Sequence, residues 1–324
     1  MKRMKNQSLM ALLLVISLLV LSACGAGGES HGSEGNGKKK IRIGYLPITH
    51  AAPLYLEQGL EKEGYEIELV KFGSWPDLMD ALNTGHIDGA SVLVQLAMRA
   101  KEQGIDLKTV ALGHKDGNVL VAGQDIEDVT DLRGQSYAIP SRFSSHNILL
   151  YEMLKQAGVG YDEVNVIELA PPEMPVALAE GRISGYVVAE PFGASSVAAG
   201  HGKVLFQSDE LWPNSVCCVL VLRQEWIDSN PELTQKVVQK YVEAGLLAEH
   251  KDDHAKAVLG NFLNVNEEVL DLSLGWIHYD DLVLDEESYR KLSEYLVEMG
   301  LTENPPAYED FVDNTFIERA LQSL

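Results

Sequence analysis

Three histidines, a glutamate and a run of hydroxyl residues stand where short apolar segments give way to helical ones. His50 closes Pro47-Ile48-Thr49-His50, and His146 lies in Ser141-Arg142-Phe143-Ser144-Ser145-His146-Asn147. His114 follows the apolar run Leu107–Leu112, and Glu190 sits in Ala189-Glu190-Pro191-Phe192. A helix N-terminus offers unpaired N–H groups and a positive dipole end, which suits an anion or a polar group. Thr49 is placed to cap its helix and His50 to meet a ligand. Of Ser144 and Ser145, one is the N-cap and the other can donate its hydroxyl, with Ser141 close by. Arg142 could pair with a carboxylate or sulfonate, or stand as an ordinary surface charge. Gln95, entering a helix after Val92-Leu93-Val94, could donate to a ligand. Glu190 can only accept, so it needs a donor ligand, a metal or a neighbouring histidine. Its plainer role is a hinge or a bond to backbone amides.

His50, His114, His146 and Glu190 together make an N/O ligand set for zinc or another divalent ion. They are far apart in sequence, and no close His-x-x-x-His pair supports the set. Cys217 and Cys218 are adjacent, and a strand through both would point them to opposite faces. A disulfide between neighbours would need a distorted peptide. They read either as two buried thiols or as the source of a thiolate ligand. Ser144 and His146 are two residues apart, which is poor geometry for a nucleophile–base pair on one helix face.

The elements that must position these groups follow from periodicity. Ile41–Leu46 alternates at period two and stops at Pro47, which predicts a strand. Residues 51–60 suit a helix, 66–72 a strand, 75–83 a helix capped by Ser74, 87–92 a strand, 95–103 a helix and 107–112 a strand. A second round starts at Asp131, with strands at 136–139, 164–169 and 183–188 and helices at 145–157 and 172–179. A further strand is expected at 217–222. Helices follow at 231–250, 254–262, 267–276 and 286–299. Repeated βα units with short loops imply mainly parallel sheets covered by helices, an α/β fold. The chain is expected to cross between two similar lobes near 123–130 and to return near 212–220.

Composition and the N-terminus bound the setting. The 324 residues carry 26 Lys+Arg against 48 Asp+Glu, a formal net charge of −22. That acid excess argues against nucleic acid or any partner held mainly through phosphates. Residues 1–23 read as a signal peptide: Lys2, Arg3 and Lys5 precede an almost wholly apolar stretch too short for a comfortable membrane span. It ends in Leu21-Ser22-Ala23-Cys24, which resembles the lipobox of bacterial lipoproteins and implies a lipidated Cys24. Residues 24–40 (CGAGGESHGSEGNGKKK) read as the lipidated residue and a flexible tether. Processing removes three positive charges, leaving −25. Acyl chains would anchor the chain to the extracytoplasmic face of a bacterial membrane without spanning it.

Five stretches carry a family likeness: IRIGYLPITHAAPLYL from Ile41, WPDLMDALNTGHIDGA from Trp75, DLRGQSYAIPSRFSSHNILLYEMLKQAG from Asp131, PPEMPVALAEGRISGYVVAEPFGA from Pro171 and CCVLVLRQEW from Cys217. In their order and spacing the chain resembles the substrate-binding proteins of ABC importers for nitrate, bicarbonate, alkanesulfonates and thiamine-pyrimidine precursors. The resemblance implies a type II periplasmic binding protein fold, two α/β lobes closing on a ligand in a hinged cleft. It places lobe one at 41–128 plus 222–324 and lobe two at 129–221. It implies a monomer that hands a small polar or anionic ligand to a permease and ATPase, with no cofactor required. In the family the stretch matching Ser144–Asn147 lies where anionic ligands meet the helix. The family also permits calcium with bicarbonate, through oxygen ligands. Ligand-binding residues are then expected among Thr49, His50, Gln95, Ser141, Arg142, Ser144, Ser145, His146 and Glu190. A cleft holding a divalent metal or a thiamine-pyrimidine-type heterocycle is the alternative. An enzyme like the fungal pyrimidine synthases is a weaker fit, because Cys217-Cys218 is not an extended cysteine cluster and the chain carries an export signal. A surface sensor without a transporter is a third possibility.

Overall fold

The computed structural model describes residues 38–324. The expected signal peptide, Cys24 and the tether up to Gly37 lie outside the described residues. Among those described, no helix is long and apolar enough to cross a membrane.

The chain builds two five-stranded sheets. The first is ordered β2-β1-β3-β11-β4, from β1 (Lys39–Tyr45), β2 (Tyr65–Lys71), β3 (Gly89–Leu93), β4 (Leu107–Leu112) and β11 (Cys218–Arg223). The second is ordered β10-β6-β9-β7-β8, from β6 (Asn118–Gly123), β7 (Ser136–Ile139), β8 (Asn165–Glu168), β9 (Gly185–Ala189) and β10 (Gly202–Gln207). A two-stranded ribbon of β5 (Lys115–Asp116) and β12 (Ile277–His278) lies beside them.

Alternation explains β1: Ile41 and Ile43 are fully buried while Lys39 and Lys40 are exposed. Arg42, between them, is held by Asp88 through 2.8 Å and 3.1 Å bonds. The strand starts at Lys39, so the last two lysines of the expected tether belong to the sheet. Interior strands such as β3, β6 and β9 are buried at every position, as strands covered on both faces must be.

Helices cover the sheets where the periodicity placed them. Those that matter for the site are α1 (Ala52–Glu57), α2 (Trp75–Asn83), α3 (Val94–Glu102), α4 (Ser145–Gln156), α5 (Phe192–Ala198), α6 (Pro231–His250) and α7 (Glu267–Gly275). Ser74 caps α2 by accepting from the Asp77 amide, and Ser144 caps α4 by accepting from the Asn147 amide at 3.2 Å. The turn before α1 breaks the expectation. Thr49 lies inside a 3-10 turn, Thr49–Ala51, and caps nothing.

Each sheet is parallel except for the strands that carry the chain across. β11 runs antiparallel to both β3 and β4, and β6 antiparallel to both β9 and β10. The change of sheet falls between Leu112 and Asn118, and the return between Gln207 and Cys218. The expected outward crossing at 123–130, with a lobe boundary at 128/129, is therefore displaced, because β6 already belongs to the second sheet. Its NVLVAG sequence is apolar on both faces and shows no alternation by which to recognise it.

Candidate functional site

Strand direction decides which side chains meet. The segments after β1, β3 and β4 leave the first sheet at one edge, carrying His50, Gln95 and His114. β11 runs the opposite way, so its first residue, Cys218, arrives at that same edge with Cys217 just before it. The C-terminal ends of β7 and β9 bring Ser141–His146 and Glu190. Parallel α/β sheets concentrate ligand-binding residues at such strand ends.

His50, His114, Cys217 and Cys218 form one buried group in which each residue offers a ligand atom within 4.8 Å of all the others. His50 Nδ1 lies 3.3 Å from Cys218 Sγ. The His50 and His114 ring centroids are 3.6 Å apart, and His146 stacks parallel to His50 at 6.2 Å. All five residues have no solvent exposure. The two thiols do not point to opposite sides, because the strand begins at Cys218 and the period-two rule does not reach Cys217. Backbone contacts fix the ring: the Gly113 amide donates to the Cys218 carbonyl at 2.8 Å, and the Val94 amide to that of Cys217 at 2.8 Å. A Cβ on Gly113 would lie 2.7 Å from the His50 carbonyl, so this close approach requires glycine.

The electrostatics suit a cation. Burial, reinforced by His114, lowers the His50 pKa to about 3, and burial also lowers that of His146. Both rings are therefore neutral, the form that binds metal. Burial opposes ionisation of Cys217, but the hydrogen bond with the Cys218 thiol leads the contacts that outweigh it and hold Cys217 well below its ordinary value. Burial and the neighbouring Cys217 hold Cys218 well above. His50 Nε2 and both ring nitrogens of His114 and of His146 have no hydrogen-bond partner among the described residues. Each buried polar atom left so costs roughly 1–3 kcal/mol. Two imidazoles and two thiols match the donors and the tetrahedral preference of zinc, with N and S ligands at about 2.0–2.3 Å. The residues thus fit such an ion.

Around this group the expected residues divide. Gln95 Nε2 donates to Ser145 Oγ at 2.6 Å, and Ser145 donates onward to the Val216 carbonyl. Thr49 is buried and donates its amide to the Glu190 carbonyl at 2.8 Å, and its own carbonyl accepts from Tyr279 at 2.9 Å. Glu190 is buried as expected, but its carboxylate is not part of the His/Cys group. One oxygen accepts from the Ala194 amide at 2.9 Å and the Ser273 hydroxyl at 3.0 Å. Burial raises its pKa to about 7 despite these donors. Ser144 is spent on capping α4 and on the Ser141 carbonyl. Ser141 accepts from the Phe143 amide at 3.1 Å. Arg142 is exposed and reaches the Val166 carbonyl at 3.3 Å, so its guanidinium behaves as a surface charge. The group that the fold assembles differs from the expected set of three histidines and Glu190: His50 and His114 remain, His146 and Glu190 fall outside it, and the cysteine pair enters. The signal for that exchange was the direction of β11, which a local reading of Cys217-Cys218 does not show.

Comparison with known proteins agrees with this architecture. The ligand-binding component of an ABC-type import system from Staphylococcus aureus, solved with zinc bound, is 39% identical with a TM-score of 0.83, covering 87% of this chain and 99% of that one. The periplasmic aliphatic sulphonate binding protein SsuA of Escherichia coli matches at 22% identity and a TM-score of 0.70, covering 85% of this chain and 92% of that one. The nitrate/nitrite binding protein NrtA of Nostoc is 27% identical over 75% of this chain and 62% of its own length. Among the first curated relatives the chain spans between 35% and 62% of the relative's length. The fold is that of periplasmic binding proteins. The model of the NMT1-like family matches residues 34–260, well over half of the sequence, and the chain belongs to that family.

Proposed function

We propose that this chain is the extracytoplasmic solute-binding component of an ABC importer, capturing one small polar or charged solute between its lobes and presenting it to a membrane permease and its ATPase. The nitrate/nitrite binding protein, the sulphonate binding protein and the zinc-bound import component among its relatives are all solute-binding proteins, which supports a receptor. Lipidation at Cys24 would tether it to the membrane surface, and it would act as a monomer. Differential affinity of the solute for the closed form drives closure.

One observation narrows the solute. The His50, His114, Cys217 and Cys218 group is fully buried, burial keeps its His50 ring neutral, and several of its nitrogens lack hydrogen-bond partners among the described residues. No arginine or lysine is among the groups that shift His50, His146 or Cys217, and the nearby serine hydroxyls are engaged with backbone carbonyls. These features favour a divalent cation with a taste for nitrogen and sulfur over nitrate, bicarbonate or a sulfonate. The zinc-bound relative supports the same reading. Elemental analysis and native mass spectrometry of the purified protein test it. About one zinc per chain, with no affinity for nitrate, bicarbonate or methanesulfonate in calorimetry, is the expected result. Metal-free protein that binds one of those anions would replace the metal reading with the anion reading.

A further inference from the structure

The four members of the His/Cys group stand at the ends of first-sheet strands, and His146 stands after a strand of the second. His50 follows β1, His114 follows β4, and Cys218 opens β11 with Cys217 just before it, whereas His146 lies in the first turn of α4, which follows β7. We infer that His146 is the residue through which a metal ion held by the first lobe draws the second lobe shut, entering the ion's coordination sphere only in the closed form. This rests on the metal reading above.

Three observations carry it. First, His146 is fully buried, and neither ring nitrogen has a hydrogen-bond partner among the described residues. A histidine retained only for packing would satisfy at least one nitrogen. Second, its ring lies parallel to that of His50, 6.2 Å away between centroids, so it faces a member of the group while standing just outside the 4.8 Å cluster. Third, the preceding residue already spans the lobes. Ser145 accepts from Gln95 on α3 at 2.6 Å and donates to the Val216 carbonyl next to the cysteines. These bonds aim the first turn of α4 at the first lobe without using His146.

The energetics follow. The first lobe can hold an ion with its own four donors, so binding needs no closure. A ligand that binds open and closed forms equally shifts nothing. A fifth donor available only when the lobes meet makes the closed form the tighter binder, and it is the simplest source of the differential affinity a trap requires. Zinc can expand from four to five ligands, and a thiol can also give up its place, so the site can take the extra donor.

Cobalt(II) serves as the spectroscopic probe, with zinc as the competing ion, in the purified protein and in the variants His146→Ala and His146→Gln. Thiolate-to-cobalt charge transfer reports binding by the first lobe. The radius of gyration from small-angle X-ray scattering reports closure. Wild type is expected to show the charge-transfer band and to contract on binding. Both His146 variants are expected to keep the band, lose the contraction and bind about tenfold or more weakly. Contraction of either folded variant to the wild-type value overturns the inference while leaving the metal reading intact. No charge-transfer band in the wild type overturns both. Should His146→Ala fail to fold, the Gln variant alone decides.

Discussion

Glu190 shows how a functional-looking side chain can be a joint. Its backbone carbonyl receives the Thr49 amide, and its carboxyl receives the Ala194 amide at the start of α5 and the Ser273 hydroxyl on α7. Three segments from both lobes therefore meet on one residue. Gly193 makes room for it, since a Cβ there would stand 2.4 Å from the Glu190 carboxyl. Glu190→Ala leaves the buried Ala194 amide unpaired, so a loss of about 1–3 kcal/mol is expected. In a chain of this size that is a fall in Tm of several degrees. The folded variant should bind zinc within about threefold of wild type. Calorimetry and a thermal melt on the same sample check both halves. A hundredfold weaker zinc affinity with an unchanged melt would return Glu190 to the ligand set.

The meeting of β4, β11 and the turn after β1 is the element that makes the site. Gly113 follows β4, donates to the Cys218 carbonyl, and would press a Cβ to 2.7 Å from the His50 carbonyl and 3.3 Å from the Cys218 carbonyl. Both neighbours are backbone, so neither can yield cheaply. Gly113→Ala should therefore cost about 1–3 kcal/mol and spread His50 from Cys218. The expected signature is a lower Tm together with a weakened thiolate-to-cobalt band. A variant with wild-type spectrum and melt would show that this contact is soft. The same elements show what the sequence could disclose. Helix 75–83 and strands 107–112 and 136–139 were readable residue for residue, because capping, alternation and breakers act locally. His50, His114 and His146 were readable as strand-end residues. The pairing of the two cysteines with His50 and His114 was not, because it depends on β11 running against its neighbours. β6 escaped for a related reason: it joins the second sheet antiparallel, outside the βα rhythm that marks the other strands.

At the scale of the whole molecule, carboxyls that the fold keeps protonated contribute to stability against pH in a chain otherwise crowded with acids. Glu57 on α1 is fully buried, and one oxygen accepts from the Tyr65 hydroxyl at 3.1 Å. Its other oxygen has no partner among the described residues. Burial raises its pKa to about 8, against 4.5 for an ordinary glutamate. Between those two values the unfolded chain has released a proton that the folded chain still holds. Unfolding then becomes easier as pH rises. The contribution is fully present below about pH 4.5 and is lost as pH climbs through 8. Glu190, raised to about 7, acts with the same sign over a narrower window. Each such group contributes up to about 1.4 kcal/mol per pH unit within its window. The Glu57 contribution should therefore fall from pH 5 to pH 8, opposed below about pH 6.5 by buried His50 and His146, whose lowered pKa values act with the opposite sign. Glu57→Gln keeps an acceptor for Tyr65 and removes the titration, so its urea midpoint should match or trail the wild type at pH 5 and exceed it at pH 8. Parallel profiles for the two proteins across that range would mean that Glu57 is already ionised in the fold and that its burial is compensated from elsewhere.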